Sequence, residues 1–132
     1  LRSLRTRSPA VMIEMNLDTA DRIARATLAK AKELGVAVTV SVVDEAGRLV
    51  LTMKGDGTGF LTPESSRAKA VAAAAYRKPT LDMAGAHAGN PFWAGVPAMS
   101  RGEALPTGGA VPVFVGGRII GQCAAAGAAA VG

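Results

Sequence analysis

Two stretches of this chain read as strand, tight turn and return strand, and together they restrict its fold more than anything else in it. Ala110 to Val115 alternates small and apolar residues and is rich in valine. Gly116-Gly117 then supplies two positions that accept positive φ, and Arg118 to Gly121 begins the return strand. Earlier, Val36 to Val43 is β-branched almost throughout, Asp44-Glu45-Ala46-Gly47 is a turn, and Arg48 to Lys54 runs back. Two hairpins separated by helical patterns predict an α+β fold: an antiparallel sheet flanked by α-helices. A parallel βαβ arrangement would need strands alternating singly with helices.

The helical patterns are plain. From Asn16 to Leu34, apolar or small residues recur at Leu17, Ala20, Ile23, Ala24, Thr27, Leu28, Ala31 and Leu34, with Asn16 or Asp18 as cap and Gly35 as the stop. A second helix is expected from Pro63 to Lys78, capped by Thr62, with Ala68, Val71, Ala72, Ala75 and Tyr76 on one face. Pro79 ends it, and Thr80 caps a short helix through Ala86. His87 to Arg101 has no regular period and reads as an irregular segment; it holds the only histidine and the only tryptophan. The order is helix, hairpin, helix, irregular segment, hairpin.

At 132 residues the chain is one domain, spanning 16–132, behind a flexible basic leader at 1–15. Apolar residues make up 49% but aromatics only 4%, so the core is mostly alanine and valine and its layers pack closely. Such a domain leaves apolar surface for a second copy, which predicts a homo-oligomer. Arg2, Arg5 and Arg7 account for more than half of the net charge of +5. No basic helix face or interleaved aromatics point to nucleic acid, and no segment has the length and apolarity of a membrane span. The single cysteine, Cys123, excludes an intrachain disulfide and reads as a small buried residue of the last strand. A cytoplasmic location is the expectation. One histidine and one cysteine far apart give no metal-ligand spacing.

The side chains with chemical capacity are few. Pro106-Thr107-Gly108-Gly109 precedes the second hairpin, and its bare glycines let backbone N–H groups approach a ligand. Lys69 sits on the alanine-rich helix beside its buried face, where it pairs with a carboxylate or lies along the helix with its ammonium in water. Asp44 ends a buried strand and is either an acid–base group or a turn carboxylate bonded to its own backbone. Glu103 precedes the glycine loop, and Arg101 beside it is placed to clamp an anion.

Several segments resemble the GlcG/HbpS-like family, described as haem-binding or haem-degrading, and the similar C-terminal domain of PduO-type cobalamin adenosyltransferases. They are LDTADRIARATLAKAKELG, VTVSVVDEAGRLV, the Asp56-Gly57 pair, SRAKAVAAAAYRKPT and PTGGAVPVFVGGRIIG. Met53-Lys54-Gly55 stands where the family has an arginine-methionine pair, and CAAAGAAAVG replaces its closing serine-glycine loop and helix. The resemblance implies an antiparallel sheet with flanking helices, a homo-oligomer, and the capacity to bind haem or another planar small molecule. With haem as cofactor, His87 is the available imidazole ligand, Phe92 and Trp93 stack on the macrocycle, and Met53, Met83 or Met99 serves as a second ligand. The reading is a small-molecule-binding domain, accessory to a catabolic or biosynthetic pathway, with its ligand between the irregular segment and Thr107-Gly108-Gly109. The alternatives are a small enzyme using Lys69, Glu103 and Asp44 in acid–base chemistry on a carbonyl or carboxylate metabolite, and a ligand-free stabilising partner of a pathway enzyme.

Overall fold

The run VAVTVSVV gives its strand two different faces, valines on one and mainly hydroxyls on the other, and a different helix covers each. A computed structural model describes residues 14–83 and 90–127. Its elements are α1 (Leu17–Glu33), β1 (Thr39–Asp44), β2 (Leu49–Met53), α2 (Thr62–Tyr76), a 3-10 turn (Thr80–Asp82), α3 (Pro91–Met99), β3 (Ala110–Val115) and β4 (Arg118–Ala126). The strands form one antiparallel sheet in the order β2-β1-β4-β3. The fold is α+β, as the two hairpins predict.

The valine face meets α1. Ala20, Ala24 and Ala31 of the helix, with Met15 just ahead of it, pack on Val38, Val40, Val42, Ile120 and Cys123. Each fully buried valine contributes about 1.5–3 kcal/mol by leaving water. The side chain of Asn16 accepts the Thr19 N–H at 2.9 Å and caps the helix. Leu17 and Leu34, the ends of the predicted stripe, are exposed.

The opposite face meets α2 through small and hydroxyl-bearing side chains. Ala70 and Ala73 pack on Val43, Ala110 and Ala124. Beside them the Ser41 hydroxyl lies 2.6 Å from that of Ser66 and 2.8 Å from that of Thr52, and the Thr39 hydroxyl lies 2.7 Å from that of Thr62. This seam corrects two sequence expectations. Thr62 is not the cap of α2 but its first residue, and its hydroxyl donates to the Gly59 carbonyl at 2.8 Å while meeting Thr39. Ala75, assigned to the buried face, is exposed, because residues 66, 70 and 73 carry the stripe that meets the sheet.

A larger correction concerns His87 to Arg101. Its second half is no irregular segment: Pro91–Met99 is the helix α3. Asn90 accepts the Phe92 N–H at 3.0 Å, and Pro91 occupies the first turn, where its missing N–H costs nothing. Gly95 and Pro97 hide the helix in the sequence, but Val96 is buried with Ala72, Met83 and Ala104, and that packing outweighs weak propensity. His87 lies outside the described residues, as do residues 84–86 of the predicted short helix. What is described of that helix is the turn Thr80–Asp82, and Pro79, not Thr80, is its cap residue. The Thr80 hydroxyl instead accepts the Ala110 N–H at 2.9 Å and lies 3.3 Å from the Ala110 carbonyl. That clasp fixes the turn against the start of β3.

The β3–β4 hairpin turns at Gly116 and Gly117, both at positive φ (57° and 80°), as the dipeptide predicts. Pro112 lies on an edge strand, the place in a sheet where a missing N–H is tolerated. β4 runs on to Ala126 between two neighbours, and Cys123 is buried within it. Its small residues have a steric cause: a Cβ at Gly121 would run into the Val43 carbonyl oxygen.

Candidate ligand-binding site

The clasp between Thr80 and Ala110 brings three parts of the chain to one corner of the sheet. They are the middle of α2, the turn after it, and the glycine loop that leads into β3. Between them lies a hollow of about 640 Å³, lined by Lys69, Pro79, Leu81, Thr107, Gly108, Gly109, Ala110, Val111, Ala125 and Gly127. That size suits a small organic molecule. Leu81 forms a wall against Gly108, where an added Cβ would sit 3.3 Å from the leucine Cδ1. Gly109 has φ +132°, and a Cβ there would meet the Ala125 carbonyl oxygen at 2.7 Å and Lys69 Nζ at 3.2 Å. Position 109 is thus glycine because the Lys69 amine and the β4 backbone fill the space a side chain would take.

Lys69 is half-buried, and its Nζ donates one long bond to the Ala125 carbonyl at 3.4 Å. Burial pulls its pKa below the ordinary lysine value. Among the described residues no carboxylate pairs with it, and among them it is the only titratable side chain that lines the hollow. The N–H groups of Gly108 and Gly109 likewise find no acceptor among the described residues.

Of the residues singled out in the sequence, Lys69, Thr107, Gly108 and Gly109 come together here. The others lie elsewhere. Asp44 accepts the N–H groups of Ala46 and Arg48 at 2.9 and 3.0 Å and pairs with Arg48. It lines a separate hollow of about 300 Å³ with Glu14, Glu45 and Arg118. Strand register puts it opposite Gly121, whereas Val40, four residues back, lies opposite the Ala125 that touches Lys69. Glu103 is exposed and bonded to Arg67 at 2.9 Å. Arg101 is exposed, with φ 58°, in the turn after α3. Phe92 and Trp93 stack edge-on with Tyr76, with centroids 5.9 and 5.0 Å from that ring, and Lys78 lies over Trp93 at 5.1 Å. The rings satisfy one another and do not line the hollow.

Sequence reasoning missed the apolar walls, Pro79, Leu81, Val111 and Ala125. Its one usable signal was Thr80 after a helix-stopping proline. It also missed Gln122, which is fully buried, with neither amide atom bonded among the described residues. Other hollows offer less chemistry. One between α1 and β4 is an open apolar groove whose polar side chains are Thr27 and Lys30.

The donor set bears on haem. Its iron takes His, Cys, Met or Tyr ligands, and none of these lines the hollow. Met83 is buried beneath α3, Met53 packs on the α1 core, Cys123 is buried beside Thr27, and Met99 is exposed at the end of α3. Burial raises the Cys123 pKa and keeps its thiol protonated. The walls of the hollow therefore do not fit an iron-ligated haem, and the one histidine is not described. Among the described residues no group of His, Cys, Asp and Glu is arranged to hold a metal ion, and no helix is long and apolar enough to cross a membrane.

A four-stranded antiparallel sheet between helices, with a ligand-sized hollow at one corner, defines a small α+β domain. Its family is identifiable as well: the model for haem-degrading HbpS-like proteins matches residues 15–131, and the chain belongs to that family. A double mutant of Streptomyces reticuli HbpS superposes with a TM-score of 0.76 at 30% identity, covering 88% of this chain and 76% of that one. Klebsiella pneumoniae ORFY gives 0.77 at 26% identity, covering 88% and 81%. A PduOC:heme complex shares the fold, with a TM-score of 0.76 at 23% identity, covering 87% and 83%. In sequence, an uncharacterised 15.0 kDa protein from the dhaT-dhaS intergenic region of Citrobacter freundii is 29% identical over 113 residues, 86% of this chain and 80% of its own length.

Proposed function

We propose that this chain is a small-molecule-binding domain whose ligand enters the hollow between α2, the Thr80 turn and the glycine loop. The observation that carries the reading is one hollow lined by Lys69, by Leu81, Pro79 and Val111, and by Gly108 and Gly109, whose N–H groups have no acceptor among the described residues. Such a site holds a flat or compact organic molecule by apolar contact and fixes it with a few polar groups. The family's description and the PduOC:heme complex favour haem as a ligand. The hollow's own donors favour an organic molecule held without an iron bond, so haem at this site needs His87 to supply the ligand. A homo-oligomer is part of the proposal, with the exposed Phe114 of edge strand β3 as apolar surface for a second copy. The acid–base enzyme finds no support in the geometry, since Asp44 and Glu103 share no hollow with Lys69.

Two measurements test the reading. Native mass spectrometry of the purified protein should find a retained small molecule, or haemin titration should shift the Soret band. If haemin is the ligand, His87→Ala removes that shift. A protein that carries no small molecule and leaves the haemin spectrum unchanged contradicts the proposal.

A further inference from the structure

Among the described residues the hollow holds one amine and two backbone donors but no charged acceptor side chain, and that imbalance says what a ligand must bring. Several basic side chains at the surface have acidic partners, Arg22 with Asp18, Arg25 with Asp21, Arg48 with Asp44 and Arg67 with Glu103, while Arg77 and Arg101, unpaired among the described residues, are exposed to water. Lys69 has none among the described residues; its single bond is to a neutral carbonyl at 3.4 Å. An ammonium withdrawn from water and left with one weak acceptor is under-satisfied. It lies 3.2 Å from the position a Gly109 side chain would take, so the bare glycine is what lets the amine come up against the loop. The N–H groups of Gly108 and Gly109 add unbonded donors at the same rim. Below them, Leu81 and Val111 offer only apolar surface.

Resting on the reading of this hollow as a ligand site, we infer that Lys69 and the Gly108-Gly109 backbone form a carboxylate seat, and that the ligand is a small apolar carboxylic acid bound as its anion. The carboxylate takes charge-assisted bonds from the amine and the two N–H groups, and the apolar body lies on Leu81 and Val111. Burial lowers the Lys69 pKa by disfavouring the ammonium, and a bound carboxylate would act in the opposite direction. The requirement concerns charge rather than size, so two probes of one shape separate it from simple hydrophobic binding.

The probes are benzoate and benzamide, titrated into the isotope-labelled protein and followed through its amide spectrum. Benzoate should bind about tenfold more tightly than benzamide or better, moving the Gly108 and Gly109 resonances. Lys69→Met, with its folded spectrum intact, should remove most of the preference for benzoate, leaving only what the two N–H groups supply. Equal affinity of the two probes for the unmodified protein overturns the seat while leaving a small-molecule site. An advantage for benzoate that survives Lys69→Met undiminished overturns it too. Failure of both probes to bind counts against the carboxylate seat and against the hollow as a ligand site.

Discussion

The chain has two places where a small ligand would be sought, and they are built in opposite ways. One is the cluster of Tyr76, Phe92 and Trp93, where large rings meet edge to face and a lysine lies over one of them. The other is the hollow at Lys69 and the glycine loop, where side chains are small or absent. Lys69 and Tyr76 are seven residues apart on α2, about 10 Å along its axis. The cluster spends much of its surface on itself: the rings meet edge to face and Trp93 packs with Val96 and Met83, although Phe92 remains half exposed. The hollow has kept its capacity, because the residues that would fill it are glycines. Aromatic content in a sequence therefore marks where this domain is stapled together, and missing side chains mark where it is open.

The sharpest way to break that contrast is to remove the staple. Trp93→Ala should cost about 3 kcal/mol of stability, near the lower end for a large aromatic since the ring is half-buried. Ligand binding at a temperature where the variant remains folded should be unchanged. Chemical denaturation with a binding titration checks both, and lost affinity in a folded variant would merge the two regions. Gly109→Ala is the converse. Its Cβ meets the Ala125 carbonyl at 2.7 Å and its φ is unfavourable for alanine, so about 1–3 kcal/mol is lost, and ligand affinity falls with it.

These two positions also show how far the sequence could be read. The hairpins, α1, α2 and the antiparallel sheet were legible, because β-branched runs, the Gly116-Gly117 pair and the spacing of Ala20, Ala24 and Ala31 are local signals. Helix α3 was not, because Gly95 and Pro97 argue against a helix locally while Val96 is held by tertiary packing. Half of the site was legible for the same kind of reason. PTGG declares bare backbone wherever it occurs, but nothing near Lys69 in sequence says that its amine fills the space beside Gly109. Leu81 and Val111 became walls only through the Thr80–Ala110 clasp, a contact between residues thirty apart. The hydroxyl seam of Thr39, Ser41 and Ser66 was not legible either, since pairing across a helix–sheet boundary leaves no local trace.

Smaller effects sharpen the comparison. Gln122 has a fully buried amide without partners among the described residues, so Gln122→Met should raise stability by about 1 kcal/mol, measured by denaturation midpoint. A loss instead would show that the amide contacts something needed for folding. Lys78→Ala removes the cation from the face of Trp93 and should cost about 0.5 kcal/mol, leaving the hollow untouched. The smallest expected effect is electrostatic. Lys69 has a lower pKa folded than unfolded, so between that lowered value and the ordinary 10.5 the unfolded chain binds more protons. Its contribution to stability therefore rises with pH through that window. Cys123, with its raised pKa, opposes this above 9.0. The difference between the unmodified protein and Lys69→Met, followed against pH, isolates the lysine; a flat difference would mean that burial leaves its titration unchanged.

The account stands or falls on where a ligand sits. Amide-resonance mapping of the protein with its retained small molecule, or with haemin, reads this directly. Changes concentrated at Lys69, Leu81, Thr107 to Gly109 and Val111 are the expected result. Changes concentrated at Tyr76, Phe92 and Trp93, with Gly108 and Gly109 unmoved, would contradict it.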